Sequence, residues 1–102
     1  MSLQPVARVG DTAEGICYAH GSPVHWTGQF NIGSGGFTVD GNNAVVIGDT
    51  GPTSCGHTFK CITGSPIFTG LGIPVGRVTD LVIVIQGGNG TIITGSPTTS
   101  SE

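Results

Sequence analysis

The sequence predicts an all-β fold with almost no helix: three repeats of about thirty residues, each made of short strands and turns, arranged with pseudo-threefold symmetry. Three observations predict it. Nineteen glycines and six prolines in 102 residues are too many for helices, because Gly loses the most backbone entropy on ordering and Pro removes a hydrogen-bond donor. No window keeps an apolar period of 3.6 for three turns; short Val/Ile/Thr/Phe runs alternate with Gly-Asp, Gly-Ser and Gly-Asn instead, the pattern of strands and tight turns. The third observation is that the chain repeats itself.

Gly33-Ser34, Gly64-Ser65 and Gly95-Ser96 follow one another at intervals of 31 residues. At the same offset Phe37 matches Phe68, Thr38 matches Thr69, Gly41 matches Gly72 and Asp49 matches Asp80, while Ile47 and Val78 agree in type. Arg8-Val-Gly-Asp11 is a first copy of Val46-Ile-Gly-Asp49 and Arg77-Val-Thr-Asp80, and Pro5 precedes Asp11 as Pro74 precedes Asp80. The units run over 5–41, 42–72 and 73–97 of a single domain, 1–102, with a short tail at 98–102. In each unit the Asp opens a long excursion that comes back as a return strand: 28–32, 59–63 and 90–94. From Asp to the next Gly-Ser is 15 residues in units two and three but 22 in unit one, so unit one carries seven extra residues, in the stretch holding Cys17, His20 and His25. One such unit cannot bury its apolar face alone, so the three must share a core, with the excursions projecting to one end. A chain this small often needs a disulfide, a metal or a partner to hold it.

The repeat weighs each cysteine and histidine. Cys61 stands where the other units have Phe30 and Ile92 and reads as core packing. Cys17 and Cys55 each lie six residues after their Asp, where unit three has Gln86. His20 and His57 follow them closely, and His25 lies in the insertion. If the excursions converge, Cys17, His20, His25, Cys55 and His57 crowd together, and four of the five suit a tetrahedral metal, Zn²⁺ first and Fe²⁺ as its competitor. Such an ion would contribute folding free energy. The alternatives are surface histidines and a Cys17–Cys55 disulfide. Asp11, Asp49 and Asp80 fall at strand ends and read as turn formers rather than calcium ligands. Trp26 reads as packing over the cluster or against the wall beside it.

An enzyme is not expected. Cys and His recur at repeat-related positions, which is architectural, and Glu14 is the only carboxylate in the two Cys/His excursions apart from the repeated Asp. A net charge of −3 with three basic residues argues against nucleic acid as a partner. The longest apolar run, Leu81 to Ile85, is too short to span a bilayer. The first residues lack the apolar core of a secretory signal. The chain is therefore expected to be made in a reducing cytoplasm, where an odd number of cysteines favours thiols or metal ligands.

Pro5-Val-Ala-Arg8-Val-Gly-Asp11-Thr, Val46-Ile-Gly-Asp49-Thr, Thr53-Ser-Cys-Gly-His57, Ile62-Thr-Gly-Ser-Pro66, Pro74-Val-Gly-Arg77-Val and Ile92-Ile-Thr-Gly-Ser-Pro97 together resemble the PAAR-repeat proteins, the spike-tip proteins of contractile injection machines. The resemblance runs over nearly the whole chain. The eponymous tetrad fits loosely at Pro5-Val-Ala-Arg8 and Pro74-Val-Gly-Arg77 and departs at Asn42-Asn-Ala-Val45. The resemblance implies a small cone whose flat base docks on the blunt end of a trimeric β-helical spike, one tip monomer per trimer. It also implies a metal just behind the point, typically on three His and one Cys: here His20, His25 and His57, with Cys55 or Cys17 as the fourth. The third excursion, 81–94, has neither Cys nor His, a departure that leaves the other two to complete the site.

The function implied is a structural cap that sharpens the spike of a contractile phage tail or related machine and aids piercing of the target envelope. Its partners would be the spike and, transiently, the target membrane, with no small-molecule substrate. The protein would assemble into a virion baseplate or a secretion-system spike. The alternatives are a type VI secretion tip or cargo adaptor and, behind these, a zinc-dependent enzyme.

Overall fold

The computed structural model describes residues 3–101; Met1, Ser2 and Glu102 of the predicted domain lie outside the described residues. Three peptide groups far apart in the chain close a ring at the centre of the protein. The N–H of Ala7 donates to the carbonyl of Gly76 at 2.9 Å, that of Gly76 to Val45 at 2.8 Å, and that of Val45 back to Ala7 at 3.1 Å. These are the same position in the three repeats. Antiparallel bridges Val6↔Arg77, Arg8↔Ala44 and Val46↔Val75 flank the ring in the same cyclic order, so the repeats surround a pseudo-threefold axis. Each buried peptide group on the axis is satisfied by the neighbouring repeat, which makes no single repeat complete without the other two.

On one side of the ring lie three two-stranded ribbons: β1 (Gln4–Pro5) with β12 (Ser100–Ser101), β4 (Thr38–Val39) with β5 (Asn42–Asn43), and β8 (Thr69–Gly70) with β9 (Ile73–Pro74). Two-residue turns join the second and third. Asp40 and Gly41 have φ of 52° and 84°, and Leu71 and Gly72 have 52° and 82°, the doubly left-handed turn whose twist matches a hairpin. In the first ribbon no such turn joins the strands; Gln4 and Pro5 pair with Ser101 and Ser100 from the far end of the described residues. The segment read from the sequence as a tail, 98–102, thus supplies a strand, with Ser101 buried.

On the other side each excursion is a longer hairpin: β2 (Thr12–Cys17) with β3 (Val24–Gln29), β6 (Thr50–Pro52) with β7 (Thr58–Cys61), and β10 (Leu81–Val84) with β11 (Gly88–Ile92). They form one antiparallel sheet in the order β3-β2-β11-β10-β7-β6. The sheet curls until its outer strands meet, through a Gly28↔Thr53 bridge and a bond from Ser54 N–H to Thr27 O at 2.8 Å. The fold is all-β, with no helix among the described residues.

Inside the curled sheet, Trp26 stacks on Phe59 with centroids 5.1 Å apart, and Phe30 meets Phe59 edge-on at 4.8 Å. Ala7, Ala13, Val45, Val82, Val84 and Ile92 complete this core, together with Cys17 and Cys61. Beneath the ring Val6, Val39, Ala44, Val46 and Val75 form a second cluster, against which the repeat-related Phe37 and Phe68 pack, stacked on each other at 5.5 Å.

The repeated aspartates do more than form turns. Each is buried and accepts the backbone N–H three residues before it: Arg8 to Asp11 at 2.7 Å, Val46 to Asp49 at 2.9 Å, Arg77 to Asp80 at 2.8 Å. Each also reaches the preceding repeat around the axis. Asp11 accepts from Thr94 Oγ1 and Asp80 from Thr63 Oγ1, both at 3.0 Å, and Asp49 accepts from Ser34 Oγ at 2.6 Å. Around Asp49 the pattern differs: unit one has Ile32 at the Thr position and unit two has Val46 at the Arg position; Ser34 of unit one fills the role of the missing hydroxyl.

Candidate metal centre

Strand alternation decides which residues of the first hairpin point inward. On β2, Ala13 and Cys17 are buried. On β3, Trp26 is buried and His25 exposed, because neighbouring side chains leave a strand on opposite faces. Cys17 is the last residue of β2, so its thiol closes the top of the core. The connection through 18–23 then brings His20 back over it. From the second hairpin comes the turn Thr53-Ser-Cys-Gly-His57, closed by Gly56 N–H to Thr53 O at 3.2 Å and Thr53 N–H to His57 O at 2.9 Å. His57 N–H also donates to Thr53 Oγ1 at 2.9 Å.

The sulfur of Cys17 and one ring nitrogen each of His20 and His57 lie within 4.8 Å of one another. The two imidazoles are 4.7 Å apart between centroids, at 40°. Ligand atoms sharing a zinc ion stand roughly 3.3–3.8 Å apart at bond lengths of about 2.0–2.3 Å, so small side-chain rotations close this group on an ion. A further observation says that something belongs there. His57 Nε2 is buried without a hydrogen-bond partner, and a buried ring nitrogen left unpaired costs the desolvation of that atom unless a ligand supplies a contact. The cluster can therefore hold a metal ion.

Cys55 adjoins the group. Burial raises its pKa, but hydrogen bonds from Thr53, His20 and Cys17 and the charge of His20 outweigh this and bring it down to about 7. Thr53 Oγ1, 3.1 Å from Cys55 Sγ, already accepts the His57 N–H and so has its own proton free for the sulfur. A thiol so placed loses its proton readily, as a metal ligand must. Thr53 is thus the support of two candidate ligands, a role the sequence signals only through a Thr opening a Cys-Gly turn.

Of the five residues singled out from the sequence, the structure groups Cys17, His20 and His57, sets Cys55 beside them, and leaves His25 apart. His25 is on the outer face, 61% exposed, its Nε2 3.6 Å from Glu14 Oε2. The inward place on that strand is taken by Trp26. Trp26 packs against Phe59 in the core, its Nε1 unpartnered. Gln86, the counterpart of the two cysteines, accepts the Thr58 N–H at 3.3 Å through Oε1, so the third hairpin braces the second without adding a ligand. Cys61 is fully buried and donates to Thr63 O at 3.2 Å; burial, with Asp80 nearby, pushes its pKa up to about 12. It is inert packing. Compared with protein-family models, curated proteins and solved structures, the chain matches none.

Proposed function

We propose that this protein is a spike-tip protein, a structural cap for the end of a trimeric β-helix in a contractile phage tail or related injection machine. The observation that carries the reading is the cyclic bonding of Ala7, Gly76 and Val45: a single chain with internal threefold geometry can meet a true trimer with three like contacts. The ribbon side supports it, since Leu3, Ile67, Leu71 and Ile73 are exposed there and offer apolar surface for a partner to cover. Capping a β-helix also covers strand edges that would otherwise pair with other chains.

In this reading the metal is zinc, held by Cys17, His20, Cys55 and His57, and its role is mechanical. Bound there, it would tie the first two hairpins together at the end far from the spike. Two sulfurs and two imidazoles would suit a closed, structural site, and among the described residues no carboxylate joins the group of Cys17, His20 and His57. The pinned end would be the one driven through the target envelope.

The test of the role is light scattering of the protein mixed with the β-helical end segment of a contractile-tail spike trimer. The expected complex has one copy per trimer, and Leu71→Asp weakens it. Absence of any complex rejects the reading. Elemental analysis tests the ion, with about one zinc per chain expected.

A further inference from the structure

Cys17 and Cys55 hold the same repeat position on two different hairpins; Cys55 packs against the buried cluster to which Cys17 belongs, two residues before the His57 whose ring nitrogen lies within 4.8 Å of the Cys17 sulfur. Both are free thiols. Two adjacent thiols that serve one metal can also serve each other. We propose that Cys17 and Cys55 form a redox pair with two exclusive states, joint metal ligation when reduced and a Cys17–Cys55 disulfide when oxidised by a peroxide.

The step balances as follows. The two thiolates give up one electron each and join through a new S–S bond; the peroxide O–O bond breaks, and with two protons its oxygens leave as two waters. The metal departs as the divalent ion, since disulfide sulfur is a poor ligand beside a thiolate. Either state ties β2 to the β6–β7 turn. The hairpin ends therefore stay linked both in a reducing cytoplasm, where a disulfide does not persist, and in an oxidising exterior, where it does. Cys61 has no share in this. Its thiol is engaged by Thr63 O, no second cysteine stands at its repeat position, and the other repeats put Phe30 and Ile92 there.

The metal half of the proposal rests on the zinc reading above; the disulfide half does not. Zinc-loaded protein is treated with hydrogen peroxide while zinc release is followed with a chromophoric chelator, and intact mass and peptide maps are recorded. The expected result is one zinc released per chain in step with a loss of about 2 Da, a linked peptide pair carrying residues 17 and 55, and recovery on adding dithiothreitol and zinc. The oxidised, metal-free form should melt above the reduced, metal-free form. Cys61→Val should behave like the wild type, whereas Cys55→Ser should give no linked pair. Zinc retained under peroxide, or released with cysteines converted to sulfinic acids and no 17–55 link, overturns the proposal. Protein that takes up no zinc yet forms the link rejects the metal reading and keeps the disulfide.

Discussion

The ribbon side and the hairpin side are built from one repeat and treat it in opposite ways. Below the ring the threefold pattern is kept even without a connecting turn: β1 and β12, far apart in sequence, pair to stand in for a third hairpin. Above the ring the copies diverge. Along the outward positions of the first strand of each excursion, unit one has Thr12, Glu14 and Ile16, unit two Thr50, Pro52 and Ser54, and unit three Leu81, Ile83 and Ile85. At the next inward position two copies have cysteine and one has Gln86. The difference teaches that the ring and its aspartates enforce symmetry through the same buried bonds repeated three times, whereas the outward side chains of the hairpins and the residues at their ends enter no such repeated bond and vary from copy to copy. A candidate metal centre built from two copies of three is what such freedom permits.

The seams between hairpins set the largest expected effect. Gly15 and Gly90 face each other where β2 crosses β11, and a Cβ at Gly15 would lie 1.9 Å from Asn89 O and 2.5 Å from Gly90 Cα. Both obstacles are backbone, so β2 and β11 must part. Gly15→Ala should lose about 4 kcal/mol or more, at the severe end of single substitutions, read by urea denaturation. A variant with near-native stability would mean that the curled sheet is far looser than the ring beneath it.

Next is the metal centre. His57→Ala removes the donor whose nitrogen is buried and unpartnered; it should abolish metal binding, whereas His25→Ala should leave the metal content unchanged. Losing an ion present at 100 to 1,000 times its dissociation constant costs roughly 3–4 kcal/mol, visible as a lower melting temperature that chelation reproduces in the wild type. Equal metal loss in both variants would undo the placement of His25 outside the site. On the ring side, Asp80→Asn keeps the shape but weakens bonds to Arg77 N, Nε and Nη2 and to Thr63 Oγ1, all between 2.8 and 3.0 Å. A cost of about 1–3 kcal/mol is expected with metal content intact. Together these two variants show whether the ends of the molecule fail independently.

Much of this was legible in the residues. The 31-residue offset places Phe30, Cys61 and Ile92 at one core position, and all three donate their N–H to the repeated Asp carbonyl. The offset also finds Cys17 and Cys55. It fails for His25, because seven inserted residues have no counterpart from which to carry over a register. The signal there was local: a Trp beside a His on one strand takes the inward place. Residues 98–102 look like a tail because no turn residues announce a strand made by joining chain ends. Yet Thr99 and Ser100 stand 31 residues after Phe68 and Thr69, and the repeat could have claimed them. Thr53 was hidden for another reason: its hydroxyl acts through hydrogen bonds to two neighbours, which composition and spacing do not encode.

The smallest expected effect is a gain, and it tests whether the repeat's geometry overrides local preference. Gly10 and Gly48 precede their aspartates with φ of 95° and 98°; the third copy has Thr79 there, at φ 79°. A β-branched residue in the left-handed region carries about 1–2 kcal/mol of strain, held here because Thr79 N–H bonds Ile92 O at 2.8 Å and Asp80 N–H bonds Arg77 O at 3.0 Å. Its side chain is exposed, so removing it loses no packing. Thr79→Gly relieves the strain but adds entropy to the unfolded chain, about 0.5–1 kcal/mol. The net is a stabilisation of about 0.5–1 kcal/mol, a rise of a few degrees in melting temperature for a domain of this size. Gly48→Thr, the reverse exchange in unit two, should destabilise by a similar or larger amount. If instead both exchanges lower stability alike, the turn before Asp80 has its own optimum, and the symmetry of the ring side stops short of the residues that carry its aspartates.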